Sequence, residues 1–132
     1  MTTNKLADGI TSFLTFLPSK DFEQSSRFYR DLGFEVSNVA PGVAQARLGP
    51  HGFLLQDFYV KDWAENFMMH VMVANLDDWW QHIDALDLPG RFSVQPPKPP
   101  APQASGLRTA HVWDPAGVLW HFSAKVDEAP AE

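Results

Sequence analysis

At 132 residues, with 45% hydrophobic and 20% charged side chains, the chain has the size and composition of one globular domain able to bury a core. Its ten basic residues are scattered among sixteen acidic ones, for a formal net charge of −6, which argues against a nucleic-acid surface because phosphate contacts need clustered Lys and Arg. There is no apolar run of membrane-spanning length, no signal-peptide pattern in the first residues and no cysteine for a disulfide or thiolate, so the expectation is a soluble, cytoplasmic protein.

In chain order, "SFLTFL" (Ser12 to Leu17) is apolar and β-prone and is stopped by Pro18. Asp21 then caps a helix, with Gln24 three residues later in a capping-box arrangement and Phe22, Ser26, Tyr29 and Leu32 at helical spacing. Gly33 stands where a helix commonly ends. Extended runs follow at Phe34 to Val39, Val43 to Leu48 and Gly52 to Tyr59, separated by the turn residues of "APG" and "GPHG". The order then repeats: "FMMHVMVA" as a strand, Asn75 as a cap, "LDDWWQHIDAL" as a helix, and strands at Arg91 to Val94, Leu107 to Trp113 and Val118 to Ala124. The capping positions Asp21 and Asn75 are 54 residues apart, so the chain reads as two βαβββ units, about residues 10–60 and 66–125, followed by a tail at 126–132. Both units belong to a single domain spanning residues 1–132.

Three segments stand outside this scheme. "QPPKPPAPQASG" (Gln95 to Gly106) holds five prolines and reads as an extended surface insertion, with a pocket lid as the alternative. "DFYVKDWAENF" (Asp57 to Phe67) joins the units, and its Tyr59, Trp63 and Phe67 suit either a groove or a dimer interface. Trp79 and Trp80 are adjacent on a helix and cannot share one side, so one of them is expected on the sheet.

Strand alternation in "TAHVWDPAGVLWHF" sets Thr109, His111 and Trp113 on one face of the seventh strand and Leu119, His121 and Ser123 on one face of the eighth. Ala110, Val112, Trp120 and Phe122 fall on the other face. The sequence shows no Ser/His/Asp order with a helix-turn signature, no paired carboxylates on one strand face and no glycine-rich phosphate loop, and no catalytic residue is assigned.

The paired motifs "FYRDLGF" and "DPAG", within "PSKDFEQSSRFYRDLGFEV" and "DPAGVLWHF", resemble the vicinal oxygen chelate superfamily of glyoxalase I, extradiol dioxygenases and bleomycin-resistance proteins. "MHVMVANLDDWW" brings the likeness nearest to the bleomycin-resistance proteins. The resemblance implies an α+β fold, two βαβββ modules forming a curved mixed-sheet cup, and a homodimer. It also implies that the open strand faces line the cup, which makes Phe16, Gln56, Phe58, Trp63, Phe67, His70, Met72, His111, Trp113 and His121 the candidate ligand-binding residues.

Metal-using members supply ligands from the first, fourth, fifth and eighth strands. The matching positions here are Leu14, Gln56, Met68 or His70, and His121, a set broken at its first member and without a carboxylate. The expectation is therefore no metal and no cofactor, in a non-catalytic protein that binds an aromatic or amphipathic, antibiotic-like small molecule, with neither nucleic acid nor membrane as a partner. The alternative is a lyase, isomerase or dioxygenase holding zinc, nickel, manganese or iron on His70, His121, Gln56 and His111.

Overall fold

The computed structural model describes residues 5–126, so the tail expected at 126–132 lies almost wholly outside the described residues. In chain order the elements are α1 (Lys5–Asp8), β1 (Phe16–Pro18), α2 (Phe22–Leu32), β2 (Glu35–Ala40), β3 (Val43–Leu48), β4 (His51–Gln56), α3 (Lys61–Glu65), β5 (Met68–Met72), α4 (Leu76–Ala85), α5 (Leu88–Phe92), β6 (Lys98–Pro102), β7 (Leu107–Trp113) and β8 (Leu119–Lys125).

The helix starts follow the capping chemistry. Asp21 Oδ1 accepts the Gln24 backbone N–H at 3.1 Å, and Asn75 Oδ1 does the same for Asp78 at 3.1 Å. The capping box at Asp21 is not closed, however, because the Gln24 side chain donates instead to the Phe92 carbonyl at 3.5 Å. Helix α2 ends at Gly33, whose φ of 125° strains any residue with a Cβ.

Two expectations are corrected between α4 and β7. Arg91–Val94 is not a strand: Asp87 caps a short helix with Pro89 in its first turn, the position where the missing proline N–H costs nothing. The strand lies instead inside the proline-rich segment, where β6 pairs antiparallel with β7 alone. Prolines are tolerated there because one side of an edge strand has no ladder hydrogen bonds to lose. The segment thus contributes an edge strand to the second sheet rather than a loop. The linker between the units likewise contains α3, and β1 is shorter than expected, with Ser12 to Thr15 outside it.

The strands form two four-stranded mixed sheets, ordered β1-β4-β3-β2 and β5-β8-β7-β6. Each has one parallel pair, β1 with β4 and β5 with β8, and antiparallel pairs elsewhere. This α+β arrangement is what two βαβββ modules produce.

Alternation decides which face of each sheet is buried. Leu17, Ala44, Ala46, Phe53 and Leu55 are buried on one face of the first sheet, and Ala110, Val112, Trp120 and Phe122 on one face of the second. These faces share a core with α2 and α4. The Trp120 ring lies 5.8, 5.7 and 5.5 Å from those of Tyr29, Phe34 and Phe53. Trp79 is the tryptophan of the pair that meets the sheet, stacked on Phe122 at 5.2 Å, whereas Trp80 borders a small cleft with Pro96 and Pro97.

Candidate functional site

The face of the second sheet opposite the core carries three cross-strand rows, two of them open and the third buried at Thr109 and Ser123. Lys98, His111, His121 and His70 are successive Cα partners across β6, β7, β8 and β5. On one side of this row lie Trp113, Leu119 and Met68, and on the other Ala101, Thr109, Ser123 and Met72. Thr109 and Ser123 satisfy each other through a hydroxyl pair at 2.8 Å, so that corner needs no outside partner.

The rings within the rows are close. His111 and His121 have ring centres 4.9 Å apart and His70 and His121 6.5 Å apart, while His111 stacks on Trp113 at 6.3 Å and 26°. Lys98 Nζ stands 5.8 Å above the Trp113 ring, and Met68 Sδ lies 3.4 Å from His121 Nε2. Partial burial first, and then the Lys98 charge, lowers the His111 pKa. Burial, then His111 and His70, lowers that of His121. Both imidazoles are therefore mainly neutral at pH 7, free to accept a hydrogen bond or stack on a planar group.

The turn that aims β7 and β8 is held from below. Asp114 Oδ1 accepts the Ala116 and Val118 N–H groups at 2.9 Å each, and Gly117 takes φ 98°. Asp114 is buried, and that burial raises its carboxyl pKa to about 6 although its hydrogen bonds act in the opposite direction. Burial, followed by the Asp114 charge, raises the Tyr29 pKa.

On the first sheet, Phe16 pairs with Leu54 and Pro18 with Gln56. Phe16 is 45% exposed, and Gln56 is half-buried on the same face as Leu54. From the end of β4 a line of rings leads toward the second sheet: Phe58 to Trp63 at 6.1 Å and Trp63 to Phe67 at 5.7 Å. Phe67 in turn accepts the Leu119 N–H through its carbonyl at 3.1 Å. Among the described residues, no hydrogen bond or ring contact joins Phe16 or Gln56 to the histidine row. Of the ten candidate residues, the structure brings His70, Met72, His111, Trp113 and His121 onto one face. It sets Phe58, Trp63 and Phe67 along the connection and leaves Phe16 and Gln56 on the other sheet.

The family's divalent ion fits these residues poorly. Leu14 precedes β1 and has no donor, and the β1 residue paired with Gln56 is Pro18. Among the described residues no group of three or more His, Cys, Asp or Glu is arranged to hold a metal ion. The fifth-strand position resolves into two neighbours of His121, with His70 its Cα partner and Met68 touching it through sulfur.

Sequence reasoning missed two features. Lys98 joins the histidine row because β6 lies in the proline-rich segment, which alternation alone does not reveal. A cleft of about 480 Å³, lined by Phe34, Phe53, Met69, Val71, Trp79 and Trp120 among others, exists only because the two modules pack together, and no local pattern signals it.

The model of the Glyoxalase/Bleomycin resistance protein/Dioxygenase superfamily matches residues 10–122. Among solved structures, a bleomycin-binding protein complexed with bleomycin superposes with a TM-score of 0.74 at 21% identity, covering 87% of this chain and 98% of that one. The bleomycin-binding protein of bleomycin-producing Streptomyces verticillus, complexed with copper(II)-bleomycin, gives 0.69 at 23% identity, covering 89% of this chain and 100% of that one. Lactoylglutathione lyase from Agrobacterium tumefaciens gives 0.63 at 18% identity, covering 87% and 94%. At these identities the likeness is one of fold. A search of curated protein sequences finds no match.

Proposed function

Because this chain belongs to the glyoxalase, bleomycin resistance protein and dioxygenase superfamily, whose scaffold hosts lyases and binders alike, we propose from its own side chains that it is a non-catalytic binder of an aromatic or amphipathic, antibiotic-like small molecule. The observation that carries this reading is the open face of the second sheet. There Trp113, His111 and His121 offer half-exposed rings beside Met68 and Met72, which are 62% and 48% exposed. Exposed aromatic and thioether surface of this kind holds planar apolar ligands by stacking and adaptable sulfur contacts. Phe58, 53% exposed, extends the same chemistry toward the first sheet through Trp63 and Phe67. A homodimer in the cytoplasm is part of this reading, with a second copy completing the cup around each open face. No helix among the described residues is long and apolar enough to cross a membrane.

The test is thermal stabilisation by a panel of planar aromatic and amphipathic compounds that includes bleomycin, since selective binding to the native state raises apparent stability with ligand excess. The expected result is a concentration-dependent rise in Tm that Trp113→Ala removes. If no compound produces one, the reading is rejected. The histidine row alone speaks for one competing reading, a metal-dependent lyase, isomerase or dioxygenase on His70, His111 and His121, for which Gln56 would have to reach across from the first sheet. It requires His121→Ala to lose bound metal and turnover together.

A further inference from the structure

We propose that the ligand of the second sheet's open face is a planar anion of the aromatic carboxylate class, and that Lys98 selects it. The inference rests on the small-molecule reading above and adds to it the sign of the ligand's charge. Lys98 is the Cα partner of His111, and its ammonium stands 5.8 Å over the Trp113 ring. His111 in turn stacks on Trp113 at 6.3 Å and 26°, so one cation and two nearly parallel rings meet in one place. The attraction of an ammonium for an indole face holds the charge beside the rings that carry the ligand.

The formal charges around these rings favour an anion. The rows of this face contain no Asp or Glu, and their one formal charge is Lys98. Among the described residues the ion pairs are Arg91 with Asp31 and Arg108 with Asp77, so Lys98 has no carboxylate partner among them. A cleft of about 220 Å³ bordered by Trp113 adds one cation, Lys20, and one acid, Glu65, whose charges offset each other. A protein of net charge −6 thus presents its rings in a locally positive setting, and the local sign is what a bound ligand meets.

In an aromatic acid the carboxylate lies at the edge of the ring. A ring seated on Trp113 and His111 therefore brings its anion to the margin of the stack, and the flexible four-carbon stem of Lys98 lets the ammonium follow it from the face of Trp113 to its edge. There the cation exchanges its attraction to a ring for a charge-assisted hydrogen bond. A ligand bearing an ammonium group meets the opposite case, because the rows offer it a like charge and no carboxylate.

The experiment is isothermal titration, at low ionic strength, with three compounds that share one ring system and differ in charge: 2-naphthoate, 2-naphthamide and 2-naphthylmethylammonium. The wild type should bind the carboxylate about fivefold more tightly than the amide, the size expected of one exposed charge pair, and the ammonium least tightly. Added salt should narrow the interval. Lys98→Met, which keeps the stem and removes the charge, should erase the difference between carboxylate and amide, and Lys98→Arg should retain it. Arg27→Met, at an exposed position of α2, changes the net charge by the same amount and should leave the preference intact. Trp113→Ala should weaken carboxylate and amide alike, because it removes the platform and not the charge. Equal binding of carboxylate and amide by the wild type, tighter binding of the ammonium, a preference that survives Lys98→Met, or one that Arg27→Met also erases would each overturn the inference and leave the small-molecule reading standing. If none of the three compounds binds, the inference falls, and the wider compound panel decides separately on that reading.

Discussion

The phenol oxygen of Tyr29, on α2 of the first module, lies 2.5 Å from Asp114 Oδ2 in the β7–β8 turn of the second, 85 positions away in sequence. The same phenol accepts the Trp120 Nε1–H at 2.9 Å. Three buried polar groups from two modules thus satisfy one another beneath the turn that aims His111, Trp113 and His121 at solvent. Tyr29→Phe would leave the Asp114 oxygen and the Trp120 N–H without this partner, and stranding buried polar groups costs about 1–3 kcal/mol. Urea unfolding should register a loss of about 2 kcal/mol, and a loss below about 0.5 kcal/mol would mean that the contact is not maintained in solution.

Asp114 also gives the protein a specific pH dependence. Its folded pKa of about 6 lies above the unfolded value of about 4, so the native state binds the proton more tightly. The stability this provides is complete below about pH 4 and is lost as the pH rises through about 6. The stability difference between wild type and Asp114→Asn should therefore shift against the wild type from pH 4 to pH 6 and level off above it. A difference independent of pH would refute the assignment.

The two faces of β7 and β8 can be told apart by two tryptophans. Trp120 is 1% exposed among core rings, and Trp120→Ala should cost about 3–5 kcal/mol. Trp113 is half-exposed on the opposite face, so Trp113→Ala should stay within about 1 kcal/mol of the wild type and act on ligand binding instead. Equal losses in chemical denaturation would show that the open face is buried in solution.

At Gly117, φ is 98°, and an added Cβ would come 3.2 Å from Glu65 Cγ. Gly117→Ala should cost about 1–3 kcal/mol through the strained backbone. It should also loosen the seating of α3 against the turn, which would appear as faster amide exchange at Ala64 and Asn66. Wild-type stability in this variant would contradict the turn geometry.

How far the sequence disclosed this architecture depended on how local each signal was. Leu107–Trp113 and the faces of β7 and β8 were legible because one face of each strand is buried, which enforces strict alternation from Ala110 to Phe122. Asp21 and Asn75 were legible because capping is a contact within one turn. β6 was not, since Pro96 to Pro102 obscures an edge strand whose pairing depends on β7. Nor was α5, which at five residues is too short to show a helical period, so that Arg91 to Val94 passed for a strand. At the site, alternation fixed which side of its strand each of His70, His111 and His121 occupies and the family resemblance made that side the open one, but their alignment into one row with Lys98 rests on inter-strand register. That register is set by which residues the modules bury together, and no single strand records it.

The central claim is that the open face of the second sheet binds a planar or amphipathic small molecule, and the most direct measurement is the Tm of wild type and Trp113→Ala across increasing concentrations of each compound in the panel. The account predicts that at least one compound stabilises the wild type by about 2.7 kcal/mol at a hundredfold excess over its Kd and leaves Trp113→Ala unshifted. An unchanged wild-type Tm throughout, or an equal shift in the variant, would contradict it.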